Sequence, residues 1–210
     1  MTFGGGFAPH TGLGINQMTD YLTRFGLGEK TGIQEFRELS GNVPTPDWKR
    51  DTFNEGWLLA DTYFTAIGQY AFLATPLQAA VATAAVANGG NVLVPKLELG
   101  ADPEIRKTID IADSQMQVVR DAMRQTVLRG TTQSLNLPFV EVATKSGTAE
   151  RGVRNNLVNS WAVGFWPYNE PQYVFVVMAE QGPRGYGYSV SRVMTRLFTW
   201  MEENDIKGYY

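Results

Sequence analysis

Three β-rich runs set close together constrain this chain most: VEVATKSGTAE, NSWAVGFWPY and QYVFVVMAEQG, all between residues 140 and 182. Each is dominated by β-branched, aromatic and small apolar residues, and the stretches between them are turn-forming and of hairpin length. Strands joined that way pair antiparallel, in chain order. After them Val190, Val193, Met194, Leu197, Phe198 and Met201 recur at the i, i+3, i+4, i+7 spacing of an amphipathic helix. The expected fold class is α+β: an antiparallel meander sheet with a C-terminal helix packed on it, preceded by a helical subdomain.

Upstream, apolar Ile15, Met18, Leu22 and Phe25 predict a helix that stops at Gly26. Thr75-Pro76-Leu77-Gln78 supplies a cap, a first-turn proline and a capping-box glutamine, which predicts a helix to about Asn88. Its Ala and Val residues suit burial on more than one side. NVLVP reads as a short strand, and Ser114 with Gln117 as the capping box of a helix whose stripe is Val119, Met123 and Val127, ending at Gly130. The opening FGGGFAPHTGLG lacks the G-x-G-x-x-G order and any preceding strand, so it reads as a flexible entry loop. Residues between Gly26 and Leu59 carry no sustained period and read as a long irregular connection, anchored by Trp48 and Trp57. No repeat and no linker divides the chain, so a single domain is expected.

Net charge of -3 without a basic cluster argues against a nucleic-acid partner. With no cysteine and His10 as the one histidine, no Cys/His zinc site and no Ser-His-Asp relay is expected, His10 being read as a solvated loop residue. No metal or cofactor is expected. Neither a targeting segment nor an apolar run long enough for a membrane span is found, so no membrane contact is expected of this segment.

Within the first β-run stand Lys145, Ser146, Gly147 and Thr148. Glycine weakens a strand and is kept where another backbone or a ligand approaches closely. A strand carrying a cation, two hydroxyls and an opened face suits an anionic carboxylate lying along it, with peptide N–H groups pairing to the ligand backbone. A bare Lys-Ser-Gly triplet is more often structural, so the weight falls on its surroundings.

Those surroundings resemble a family. TKSGTAE, followed by NSWAVGFWP and YVFVVMAEQGP and preceded by AIGQYAFLATPLQAAVATAAVANGG, is similar to the transpeptidase domain of class B penicillin-binding proteins; FGLGEKTGI and SGNVPTPDWK resemble its elongation-type members. The resemblance runs from about Gly4 to the terminal helix. It implies the penicillin-binding protein/β-lactamase-like transpeptidase fold and acyl transfer, in which a serine attacks a D-Ala-D-Ala end of a peptidoglycan stem peptide and an amine resolves the acyl-enzyme; β-lactams mimic that substrate. It implies that Lys145 and Thr148 are catalytic, Thr148 through its N–H as an oxyanion donor. Lys145, Ser146 and Thr148 would bind the substrate carboxylate, and Gly147 would leave room for the acyl group. It also implies other cell-wall synthesis proteins as partners and a place at the bacterial cell envelope, on the outer side of the inner membrane.

The departure is that no serine is followed three positions later by lysine, so the family's Ser-x-x-Lys motif is missing. Ser40-Gly41-Asn42 matches the letters of the family's Ser-x-Asn motif but by order lies well after its place, and is read as a false match. Residues 1–210 are therefore expected to be the C-terminal portion of one transpeptidase domain, inactive alone. Two alternatives stay open: a non-catalytic module that binds D-Ala-D-Ala or β-lactams, and a related serine β-lactamase or β-lactam sensor. Of the remaining candidates, Gly68 and Gln69 divide between loop geometry and a site role, Trp161, Phe165 and Trp166 read as core and strand-pair aromatics, Glu150 and Arg151 as solvated strand-end charges, and Arg184 as a loop residue bordering the groove.

Overall fold

The computed structural model describes residues 2–6, 11–151, 156–184, 190–206 and 208; His10 lies outside them. The chain divides into two compact units, Met1–Gln78 with Val94–Pro103, and Ala79–Leu93 with Glu104–Tyr210. One boundary falls inside a helix, which is why no linker marks it.

The first unit is helical. Helix α1 (Thr2–Gly5) stands where a flexible loop was expected. Its glycines are packing residues: a Cβ on Gly5 would lie 2.1 Å from the Tyr63 ring, and one on Gly4 2.7 Å from Ala66 Cβ. The run of glycines therefore marks close approach to another helix, and the Tyr63 hydroxyl donates to Gly6 O at 2.6 Å. Helix α2 (Gly14–Arg24) matches expectation, ending before Gly26 at φ 85°. The expected irregular connection contains a further helix, α3 (Pro46–Phe53), and a second, α4 (Leu59–Ala66), starts at its last residue. Helix α3 starts at an N-cap, Thr45, that accepts from Trp48 N at 3.0 Å, with Pro46 in the first position. At α4, Asp61 accepts from Leu58 N at 2.8 Å and from Lys49 Nζ at 2.7 Å, a buried ion pair that ties α3 to α4. The Asp61 hydrogen bond holds the Lys49 ammonium above its ordinary pKa. Trp48 and Trp57 do anchor the segment, each meeting the Tyr70 ring edge-on, at 6.1 and 6.3 Å.

Helix α5 (Pro76–Ala87) forms its capping box as expected, Thr75 N to Gln78 Oε1 at 2.8 Å and Gln78 N to Thr75 Oγ1 at 3.1 Å. Gln78 does more: fully buried, it donates to Glu29 O and Ser40 O at 2.6 and 2.7 Å. Gly41 (φ 63°) sits so close to Leu73 O that a Cβ would be 2.2 Å away, and the Asn42 side chain donates to Ala71 O at 2.8 Å. Ser40-Gly41-Asn42 thus has a structural task.

In the second unit β1 (Asn91–Leu93) pairs antiparallel with β2 (Ile105–Thr108), a strand too exposed and charged to be legible. Helix α6 (Asp113–Arg129) begins one residue before the expected cap: no side chain caps it, and Gln117 bonds Asp121 at 2.7 Å, so the Ser114 capping box does not form. Its buried stripe is Met116, Met123 and Val127, with Val119 exposed. Strands β3 (Ala143–Arg151), β4 (Leu157–Trp166) and β5 (Tyr173–Pro183) form the expected antiparallel meander in the order β3-β4-β5. Helix α7 (Ser191–Glu203) covers one face, where Met194, Phe198 and Met201 join Val142, Ala162, Trp166 and Phe175 in one core. Val193 and Leu197 of the expected stripe are exposed instead. On the opposite face Ala143 and Phe165 pack with Ala87 and Met123.

Candidate functional site

Strand β3 emerges from the core after its first two residues. Val142, Ala143 and Thr144 are all 0% exposed, whereas Lys145, Gly147 and Thr148 are exposed and Ser146 is half-buried. The register runs Thr144 to Gly164, Lys145 to Val163, Ser146 to Ala162, Gly147 to Trp161 and Thr148 to Ser160. Side chains alternate along a strand, so Thr144, Ser146 and Thr148 share one face and Lys145 and Gly147 the other. All four expected residues are consecutive on one strand, and among the described residues no strand pairs with its outer side. Every second residue of such an edge turns an N–H and a C=O outward.

Gly147 and Gly164 are glycines for different reasons. A Cβ on Gly164 would lie 2.5 Å from Ala143 O and 2.7 Å from the Phe175 ring, so β3, β4 and β5 pack together only over a glycine there. A Cβ on Gly147 would meet Trp161 Cβ at 3.6 Å, ordinary contact, and its φ is not positive. The described chain does not itself require glycine at 147; the bare strand surface there faces outward.

The polar groups are partly committed. The Lys145 ammonium donates to the Ser146 carbonyl. Ser146 Oγ shares a hydrogen bond with Thr131 Oγ1 at 2.5 Å, and Thr144 shares one with the buried Thr132. The Thr148 hydroxyl has no hydrogen-bond partner among the described residues. Beyond the motif Glu150 and Arg151 are ion-paired, not simply solvated: Arg184 reaches Glu150 at 2.7 Å and Arg151 reaches Glu180 at 3.1 Å.

Two features of the site left no local mark in the sequence. Thr131 and Thr132 lie outside any motif and are brought to β3 by the turn after α6. A bulge also interrupts β4–β5 beside Thr148: Val158 pairs Gly182 but Ser160 pairs Ala179, so Asn159 faces two residues. Its Oδ1 accepts Gln181 N at 3.0 Å, with Gln181 at φ 56°. Such bulges bend a sheet and re-aim the side chains beside it. Phe165 and Trp166 are core residues as expected, Trp166 stacking on Tyr173 and meeting Phe198 edge-on, both at 5.1 Å; Trp161 is half-buried. Gly68, at φ 71° in open space, ends α4. Among the described residues no helix is long and apolar enough to cross a membrane.

The sequence profile of the penicillin binding protein transpeptidase domain matches residues 10–198. The peptidoglycan D,D-transpeptidase MrdA of Acinetobacter baumannii is 35% identical over 196 residues, 82% of this chain and 29% of that protein. Among solved structures, penicillin-binding protein PBP2 of Helicobacter pylori superposes with a TM-score of 0.80 at 30% identity, covering 93% of this chain and 36% of that one. The same protein in complex with MreC gives 0.78 at 28% identity, covering 93% and 37%. The chain spans about a third of the length of the curated relatives it matches.

Proposed function

The chain belongs to the penicillin binding protein transpeptidase domain family, among its class B, elongation-type members, and from that premise we propose that β3 is the substrate-gripping edge of a peptidoglycan D,D-transpeptidase. The observation that carries this is the change from full burial at Thr144 to exposure at Lys145 on an open edge strand, followed by a glycine that the described chain does not need.

In this reading a stem peptide lies along the outer side of β3 and pairs with its free backbone groups, as an added strand does. Its terminal carboxylate takes charge-assisted hydrogen bonds from Lys145 and from the Ser146 and Thr148 hydroxyls. The bare surface at Gly147 receives the acyl group. A serine oxygen adds to the carbonyl of the penultimate D-Ala, and the oxyanion so formed accepts from the Thr148 N–H. The C–N bond to the last D-Ala then breaks, and an amine of a second stem peptide resolves the ester. No Ser-x-x-Lys exists in the sequence, so the attacking serine and its lysine belong to polypeptide beyond these 210 residues. β-Lactams, as substrate mimics, are expected along the same strand.

The MreC complex of the Helicobacter pylori relative supports a working context in which the whole protein acts with other cell-wall synthesis proteins. That context is the cell envelope, on the outer side of the inner membrane. Since this chain lacks the nucleophile motif, its own activity reduces to holding the carboxylate end.

Calorimetry with an acylated D-Ala-D-Ala peptide tests the grip: binding is expected and is lost in Lys145→Ala, and equal binding by that variant overturns the reading. Fluorescent penicillin tests the division of labour. Covalent labelling of this chain at one of its own serines would refute the assignment of the nucleophile elsewhere.

A further inference from the structure

We propose that Thr131 is a positioning residue: its hydroxyl donates to Ser146 Oγ and so leaves the Ser146 proton aimed at the ligand carboxylate. The inference rests on the reading of β3 given above.

Thr144, Ser146 and Thr148 form one row of hydroxyls on β3, and the first two are bonded from the turn that follows α6, Thr132 to Thr144 and Thr131 to Ser146 at 2.5 Å. That turn is held on both sides. Gly130 N bonds Thr126 O at 3.1 Å, and a Cβ on Gly130 would come within 2.7 Å of Thr126 Cα, so only glycine lets the chain turn in so tightly. Leu135, fully buried, fixes the next residues in the core, and Thr195 of α7 donates to Ser134 O at 2.9 Å. The rung Thr132–Thr144 is buried and adjacent, so Thr131 meets Ser146 from a fixed backbone.

A hydroxyl carries one proton and two lone pairs. Were Ser146 the donor to Thr131, its oxygen would present lone pairs to an incoming carboxylate and repel it. With Thr131 as donor, the Ser146 proton is free for the anion, and the two bonds polarise each other in the same direction. An anionic ligand therefore selects the order Thr131 to Ser146 to carboxylate. Thr131 contributes to recognition of a free carboxylate without touching it.

The test compares an acylated D-Ala-D-Ala peptide with its C-terminal amide by calorimetry on the 210-residue chain. Thr131→Val is expected to weaken binding of the free acid about three- to tenfold, to leave the amide unchanged, and to be rescued by Thr131→Ser. In a Ser146→Ala background Thr131→Val is expected to have no further effect. Loss of the same size in that background, an equal loss for the amide, or failure of Thr131→Ser to rescue overturns the inference. Thr131→Ala, smaller than the native side chain, runs the same cycle if the valine variant does not fold. A wild-type chain that does not prefer the acid overturns the reading of β3 and this inference with it; a preference that all Thr131 variants keep overturns this inference alone.

Discussion

Glycines and one carboxylate give the sharpest expectations at the scale of single residues. Gly164→Ala is expected to destabilise the second unit by about 3 kcal/mol through overpacking against Ala143 O and the Phe175 ring. Gly147→Ala, on the same sheet, should change stability by no more than about 0.5 kcal/mol. The same substitution should weaken binding of an acylated D-Ala-D-Ala peptide, so the two glycines separate when denaturant unfolding is set beside calorimetry. Glu38 accepts from Thr31 N, Thr31 Oγ1 and Gly32 N at 2.7 to 2.8 Å. Desolvation pushes its carboxyl up, but these hydrogen bonds outweigh it and the pKa lies below the ordinary value. A depressed folded value stabilises the fold above the unfolded pKa of about 4.3. That contribution is lost as pH falls through the folded value. Glu38→Gln should flatten the acid limb of the stability profile followed by circular dichroism, and a profile unchanged in shape would refute the assignment.

Helix caps and ion pairs carry the expectations at the scale of elements. Thr45→Ala should cost about 1 kcal/mol because its side chain caps α3, while Ser114→Ala should cost nothing measurable because α6 starts without it. Lys49→Met leaves Asp61 charged and buried, so it should lower the thermal midpoint more than Lys49→Met combined with Asp61→Asn, whose neutral amide still accepts from Leu58. A double variant less stable than the single would contradict this account. What was legible follows the same lines. The three strands show as β-rich runs bounded by turn-formers, α2 and α7 as helical periods, and α5 through its cap, first-turn proline and capping-box glutamine. Helices α3 and α4, eight residues each, are shorter than the window in which a helical period stands out, and α4 starts from Leu58, whose side chain has no oxygen to announce a cap. Thr45-Pro46 was the one local signal for α3, hidden among prolines that read as loop. Lys145 to Thr148 were legible because they are contiguous. Thr131 was not, since only the topology of the second unit carries it to β3, and Val119, Val193 and Leu197 fit the period yet face outward.

At the scale of the molecule, each unit leaves apolar side chains uncovered. In the first Phe53, Leu58, Leu59, Ile67 and Leu73 are all at least half exposed, and in the second Val193 and Trp200 stand out on α7. Exposed apolar area of that kind on a stable monomer is unusual. The 210-residue chain should bind a hydrophobic dye and self-associate as concentration rises; a monodisperse, dye-negative sample would show that these surfaces are covered in solution. The open flank of β3 bears on the same behaviour from another side. A naked strand margin accepts a foreign peptide by the same backbone pairing that lets identical molecules zip into fibrils, and a lysine on that margin is one of the ordinary guards against it. Lys145 then has two duties, attracting an anion and holding off its own kind, and neutralising it would trade recognition for clumping.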